Sequence, residues 1–83
     1  MNIQCIVLSN KVLISTVEEV ASELGEPDCK LINPYEIKSC NPIELVPWLD
    51  CTFDTEFMIH STNILTIAKP TDKLIESYKQ IIK

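Results

Sequence analysis

His60 and Ser61 are the residues whose chemistry stands out first. An imidazole beside a hydroxyl is the raw material of a base-activated nucleophile, and Cys5, Cys29, Cys40 or Cys51 could supply a thiol to the same histidine, the only one in the chain. The spacing argues against both. Neighbouring residues on an extended backbone point to opposite faces, so a direct His60–Ser61 hydrogen bond is geometrically poor. Gly25 is the only glycine, so no glycine-framed nucleophile turn, phosphate-cradling loop or dinucleotide fingerprint can be built. No two cysteines have the short spacing with which one turn grips zinc. The residues therefore point away from an enzyme, a metal site and a cofactor.

Glu18, Glu19, Glu23, Glu26 and Asp28 gather acid in one stretch. They could hold a hard cation, but they lack calcium-loop spacing, and a solvated, solubilising edge is the better reading. Seven lysines against twelve carboxylates give a net charge of −5. With no arginine, the planar fork that grips phosphates and stacks on bases is missing. That excludes a general nucleic-acid coat, leaves any RNA contact local, and gives no reason to expect DNA. The start of the chain carries no basic residue, and the apolar run from Cys5 to Leu8 is too short for a signal or membrane segment. The expectation is a cytoplasmic protein away from membranes, with its cysteines as free thiols.

One domain spanning 1–83 is all this length supports. The branched and apolar stretches at 3–8, 12–20, 29–37, 57–59 and 64–67 read as five strands. Val17, Val20, Ala21 and Leu24 also fit a helical stripe, which is the rival reading of that segment. Asn33-Pro34 interrupts the third strand, because proline removes a ladder donor and forces its predecessor to be extended. From 39 to 55 the pattern reads as a long connection with a single helical turn at Asn41-Pro42-Ile43-Glu44. Its apolar residues, Trp48 among them, should cover a core or a neighbour. After Pro70-Thr71-Asp72, the stripe Leu74, Ile75, Tyr78, Ile81 and Ile82 predicts an amphipathic helix over about 71–83.

Five short bent strands suggest a small closed barrel over about 1–69, since closure removes aggregation-prone edges. Within it, the run from Phe57 to Ile67, apolar on either side of His60-Ser61-Thr62-Asn63, resembles the second signature of Sm and Sm-like proteins. It is most similar to small uncharacterised Sm-like proteins of marine cyanophages. His60-Ser61 stands where that superfamily has Arg-Gly, and Asp28 and Asn33 stand five apart where its first signature has an aspartate and asparagine four apart. The superfamily usually carries its helix ahead of the barrel, whereas here it follows.

The resemblance implies a mainly β, five-stranded Sm-like barrel with a C-terminal α-helix. It also implies a non-enzymatic subunit of a cyclic homo-oligomer of roughly five to seven chains. Phe57, Met58 and Ile59 of one subunit would meet Ile64, Leu65 and Ile67 of the next. Single-stranded RNA would bind at the pore through His60, Ser61 and Asn63, with Asn33 and Tyr35 stacking on or hydrogen-bonding to a base. For Asn33 and Tyr35 the residues themselves favour an ordinary turn asparagine and a half-buried strand tyrosine. The alternative function is a homo-oligomeric protein-interaction scaffold without RNA. Acidity and the missing arginine favour the scaffold, and the signature favours RNA.

Overall fold

A computed structural model describes residues 2–82. The chain is mainly β, with strands β1 (Ile3–Val7), β2 (Val12–Glu19), β3 (Cys29–Cys40), β4 (Ile43–Pro47), β5 (Glu56–Ile59) and β6 (Thr66–Ala68). A 3-10 turn at Ser61–Asn63 separates the last two strands, and one helix, α1 (Asp72–Ile81), ends the fold. Every pairing is antiparallel. The order across the sheet is β4-β3-β2-β1-β6, with β5 also on β3. Because β2 runs along one edge of β3, the other edge is divided: β5 takes its first half, Cys29–Ile32, and β4 its second, Tyr35–Cys40.

Two expectations are corrected. There are six strands among the described residues, and the extra one is β4, where a helical turn was expected at Asn41–Glu44. Ile43 and Leu45 alternate with exposed Glu44 and pack beside the helix, so burial at a period of two outweighs the local capping signal. The barrel is also not closed. β5 pairs with β3 and β6 with β1, but β5 and β6 do not pair with each other. The intervening turn satisfies its own amides, Asn63 N–H on the His60 carbonyl (3.0 Å) and Ile64 N–H on that of Ser61 (3.1 Å), so the ladder stays open. The rival helix near residue 20 is absent; β2 runs to Glu19, and Leu24 projects fully into solvent.

The uninterrupted burial of Leu13–Val17 follows from a sheet covered on both faces. One face carries Ile6, Leu13, Val17, Cys29 and Leu31, against which Trp48, Ile59 and Ile64 pack. The other carries Ile3 and Ile14 under Leu74 and Tyr78 of α1. Thr71 caps this helix by accepting from the Leu74 amide (3.3 Å), and Asp72 sits favourably in the first turn. Of the expected stripe, Leu74 and Tyr78 are buried and Ile75 and Ile82 half-buried, whereas Ile81 is exposed.

The β2–β3 ladder contains an irregularity that the helix repairs. Between the pairs Ile14↔Tyr35 and Thr16↔Ile32, β2 supplies one residue, Ser15, while β3 supplies Asn33 and Pro34. Asn33 is not in the extended conformation expected before a proline but adopts φ +54°, a left-handed conformation that asparagine tolerates better than most residues. Such a bulge leaves carbonyls without ladder donors in a buried place. Two hydroxyls fill it. Ser15 Oγ donates towards the Thr16 carbonyl (2.9 Å) and the Ile32 carbonyl (3.0 Å). Tyr78 Oη accepts the Thr16 amide (3.0 Å) and presents its proton to the carbonyls of Ile32 (3.0 Å) and Asn33 (2.9 Å).

Removing that hydroxyl while keeping the ring isolates its contribution. Tyr78→Phe should lower unfolding stability by about 1–3 kcal/mol, the cost of leaving buried partners unsatisfied. Denaturant unfolding at fixed protein concentration checks this. A loss within error of zero would show that the bulge does not depend on the hydroxyl.

Candidate functional site

The described residues bring His60 and Ser61 against the loop that joins β2 to β3, and the contact is made by Asp28. Ser61 donates twice to this carboxylate, its amide to Oδ1 (2.8 Å) and its hydroxyl to Oδ2 (2.8 Å). These bonds hold the Asp28 carboxyl below its ordinary pKa, first through the backbone amide, then through the hydroxyl, with His60 adding a smaller pull. The clasp ties together segments 33 residues apart.

Local backbone geometry presents both partners. On one side, the Val20 amide bonds the Asp28 carbonyl (3.1 Å) and the Glu26 amide that of Glu23 (3.0 Å), closing the acidic loop on itself. Gly25 has φ +87° with open space where a Cβ would stand, so the constraint there is conformational, not steric. On the other side, His60 is extended and precedes the 3-10 turn, whose end is anchored when Ile64 enters the core beside Ile6 and Leu13. A groove of about 580 Å³ lies between the two, lined by Glu23, Glu26, Asp28, His60 and Ser61 among others. Three carboxylates face one imidazole there, so the groove is suited to repel phosphate and to receive a donor or a cationic side chain.

The Ser61 hydroxyl is committed to Asp28 and not to His60. Asn63 and Thr62 are exposed on the same turn. Asn33 and Tyr35 lie elsewhere: the Asn33 carbonyl accepts from Tyr78, and the Tyr35 ring meets that of Tyr78 edge to face at 6.1 Å. The structure thus groups His60, Ser61 and Asn63 on one turn and places the Asn33 carbonyl and the Tyr35 ring beside Tyr78. Among the described residues no three His, Cys, Asp or Glu side chains converge as metal ligands, and no helix is long and apolar enough to cross a membrane.

The six residues expected at a subunit boundary divide by exposure. Phe57 is half-buried edge to face on Trp48 (5.9 Å), and Ile59 and Ile64 belong to the core. Met58, Leu65 and Ile67 are 45%, 66% and 51% exposed. A groove of about 730 Å³ runs along β6 from Asp28 and Ser61 past Leu65 and Ile67.

A family model matches residues 1–83. The chain belongs to a family of unknown function, DUF6561. No curated protein matches it. In this DUF6561 chain, the residue that sequence reasoning underweighted is Asp28, which looked like one more member of an acidic edge. The usable signal was its place immediately before β3, opposite a turn rich in hydroxyl donors.

Asp28 gives the clasp a pH signature. Its pKa is lower folded than unfolded, so the native state binds fewer protons; its stabilisation is present above about pH 4 and is lost as pH falls through the lower folded value. In Ser61→Ala the Asp28 titration, followed by carboxyl-carbon NMR, should move up towards the ordinary value. An unmoved titration would show that the Ser61 hydroxyl does not hold the carboxylate.

Proposed function

We propose that this protein is a non-enzymatic subunit of a cyclic homo-oligomer, joined through the free edges of β5 and β6, and that it serves as a protein-interaction scaffold. Among the described residues β4, β5 and β6 each keep one unpaired edge, and the observation that carries this reading is that the edges of β5 and β6 bear exposed apolar side chains. β5 is paired on one side by β3 and β6 on one side by β1, and each presents exposed apolar side chains, Met58 on one and Leu65 and Ile67 beside the other. Exposed edges of this kind are templates for strand addition unless blunted by charge, proline or a cover. The two edges differ, so pairing β5 of one chain with β6 of the next is a heterologous contact that closes into a ring when the rotation allows. Such a ring would complete across subunits the Sm-like barrel that the run from Phe57 to Ile67 resembles.

Single-stranded RNA at the pore is the second reading. In its favour, His60, Ser61 and Asn63 share one turn that symmetry would repeat around an axis. Against it stand the three carboxylates beside His60 and the net charge of −5.

Native mass spectrometry at micromolar concentration should show a closed oligomer of roughly five to seven chains. Met58→Lys combined with Leu65→Lys should dissociate it while leaving the circular dichroism of the fold unchanged. Proline at Leu65 is a poorer test, because that amide already bonds the Val7 carbonyl (2.8 Å) within the chain. A wild-type monomer would overturn the ring. Short uridine-rich or adenine-rich RNA should not bind the ring at physiological salt; binding that strengthens from pH 8 to pH 6 and is lost in His60→Ala would favour the RNA reading over the scaffold.

A further inference from the structure

A separate groove of about 630 Å³ opens where the start of α1 meets the middle of β1, the start of β2, the end of β3 and the start of β4. Its apolar wall includes Ile37, Ile43, Pro70 and Leu74, and its volume falls in the range of small-molecule sites. The charge around it is unlike that of the whole chain. Lys38, Lys69 and Lys73 line it and no carboxylate does, in a protein of net charge −5. Lys38 is already engaged by Glu36 (3.2 Å), which also meets Lys11 (3.8 Å). Among the described residues Lys69 and Lys73 make no ion pair, so two uncommitted cations stand beside an apolar surface. α1 begins at the same rim, with Thr71 as its cap, and adds the partial positive end of its dipole.

We propose that this groove binds a single-chain amphiphilic carboxylate of the fatty-acid type, its chain lying against Ile37, Ile43 and Leu74 and its head held by Lys69 and Lys73. Charge complementarity selects the head and the apolar wall selects the tail. Neither feature alone would suffice, since exposed lysines bind small anions weakly and an apolar wall without cations would not prefer an acid. The site is independent of the β5 and β6 edges, so its failure would leave the ring reading intact.

Two thiols make the groove readable. Cys40 is exposed and lines it, whereas Cys51 is exposed outside it. Burial, with a smaller effect from Cys40, pushes the half-buried Cys5 thiol up, which keeps it slow to alkylate. Decanoate below its micelle concentration should slow iodoacetamide alkylation of Cys40 severalfold in a saturable way and leave Cys51 unchanged. It should also shift the backbone amides of Thr71 and Lys73 in an NMR titration. Acetate tests the need for the chain and decyltrimethylammonium the need for the carboxylate; neither should protect Cys40. Lys69→Gln with Lys73→Gln, both on exposed positions, should weaken decanoate binding at least about threefold. No saturable protection, equal slowing of Cys51, protection by the cationic amphiphile, or decanoate affinity unchanged in the double variant would each overturn the proposal.

Discussion

The fold turns on one phenolic oxygen. Tyr78 brings its hydroxyl from α1 into the gap where β3 carries one residue more than β2, and there it accepts the Thr16 amide and donates towards the Ile32 and Asn33 carbonyls. An unmet bulge at this depth would leave several polar backbone groups without partners, each costing on the order of 1–3 kcal/mol. The consequence reaches past the bulge itself. Where Asn33 turns left-handed, its amide carries the β5 register one residue further, onto the Thr55 carbonyl (2.7 Å), just ahead of β5. The Pro34 carbonyl accepts the Trp48 amide (3.1 Å) and so fixes the end of β4. One bend in β3 thereby assigns its outer edge to two different strands, and the helix holds the bend.

That division produces the features on which function would rest. β5 ends at Ile59 on the first half of β3, His60 and Ser61 follow at once, and the Asp28 carboxylate immediately before β3 catches Ser61. The chain then returns to β1 as β6 instead of continuing beside β5, so the edges of β5 and β6 stay open, as that of β4 does. The same helix that plugs the bulge closes one wall of the lysine-rimmed groove through Leu74. A protein this small buries a modest fraction of its surface, and the apolar residues left at Met58, Leu65 and Ile67 are the surface that partner subunits would cover.

Much of this was legible in the sequence because the periods are clear. The stripe around Leu74 and Tyr78 marked the helix, branched residues marked β1 and β2, and Asn33-Pro34 marked a break in β3. What filled that break was not legible, since Tyr78 lies 45 residues from Asn33 and a hydrogen bond between distant residues leaves no periodic trace. The Asp28–Ser61 clasp escaped for the same reason. β4 was misjudged because Asn41-Pro42 looks like a helix start, while Ile43 and Leu45 show their strand character only against α1, whose position the local pattern does not give. Closure of the sheet depended on whether β5 and β6 meet, a question that the four residues between Ile59 and Ile64 answer by geometry and not by type.

The proposal is that partner chains complete the free edges of β5 and β6 in a fold whose central bend is pinned by the helix. Hydrogen–deuterium exchange of the intact protein at two concentrations tests it directly, read at β5, at β6 and at the Thr16 amide. The account predicts slow exchange at Thr16 at both concentrations, with protection of Glu56–Ile59 and Thr66–Ala68 that grows together as concentration rises. Fast exchange at Thr16, or edge amides indifferent to concentration across the range in which subunits associate, would contradict it.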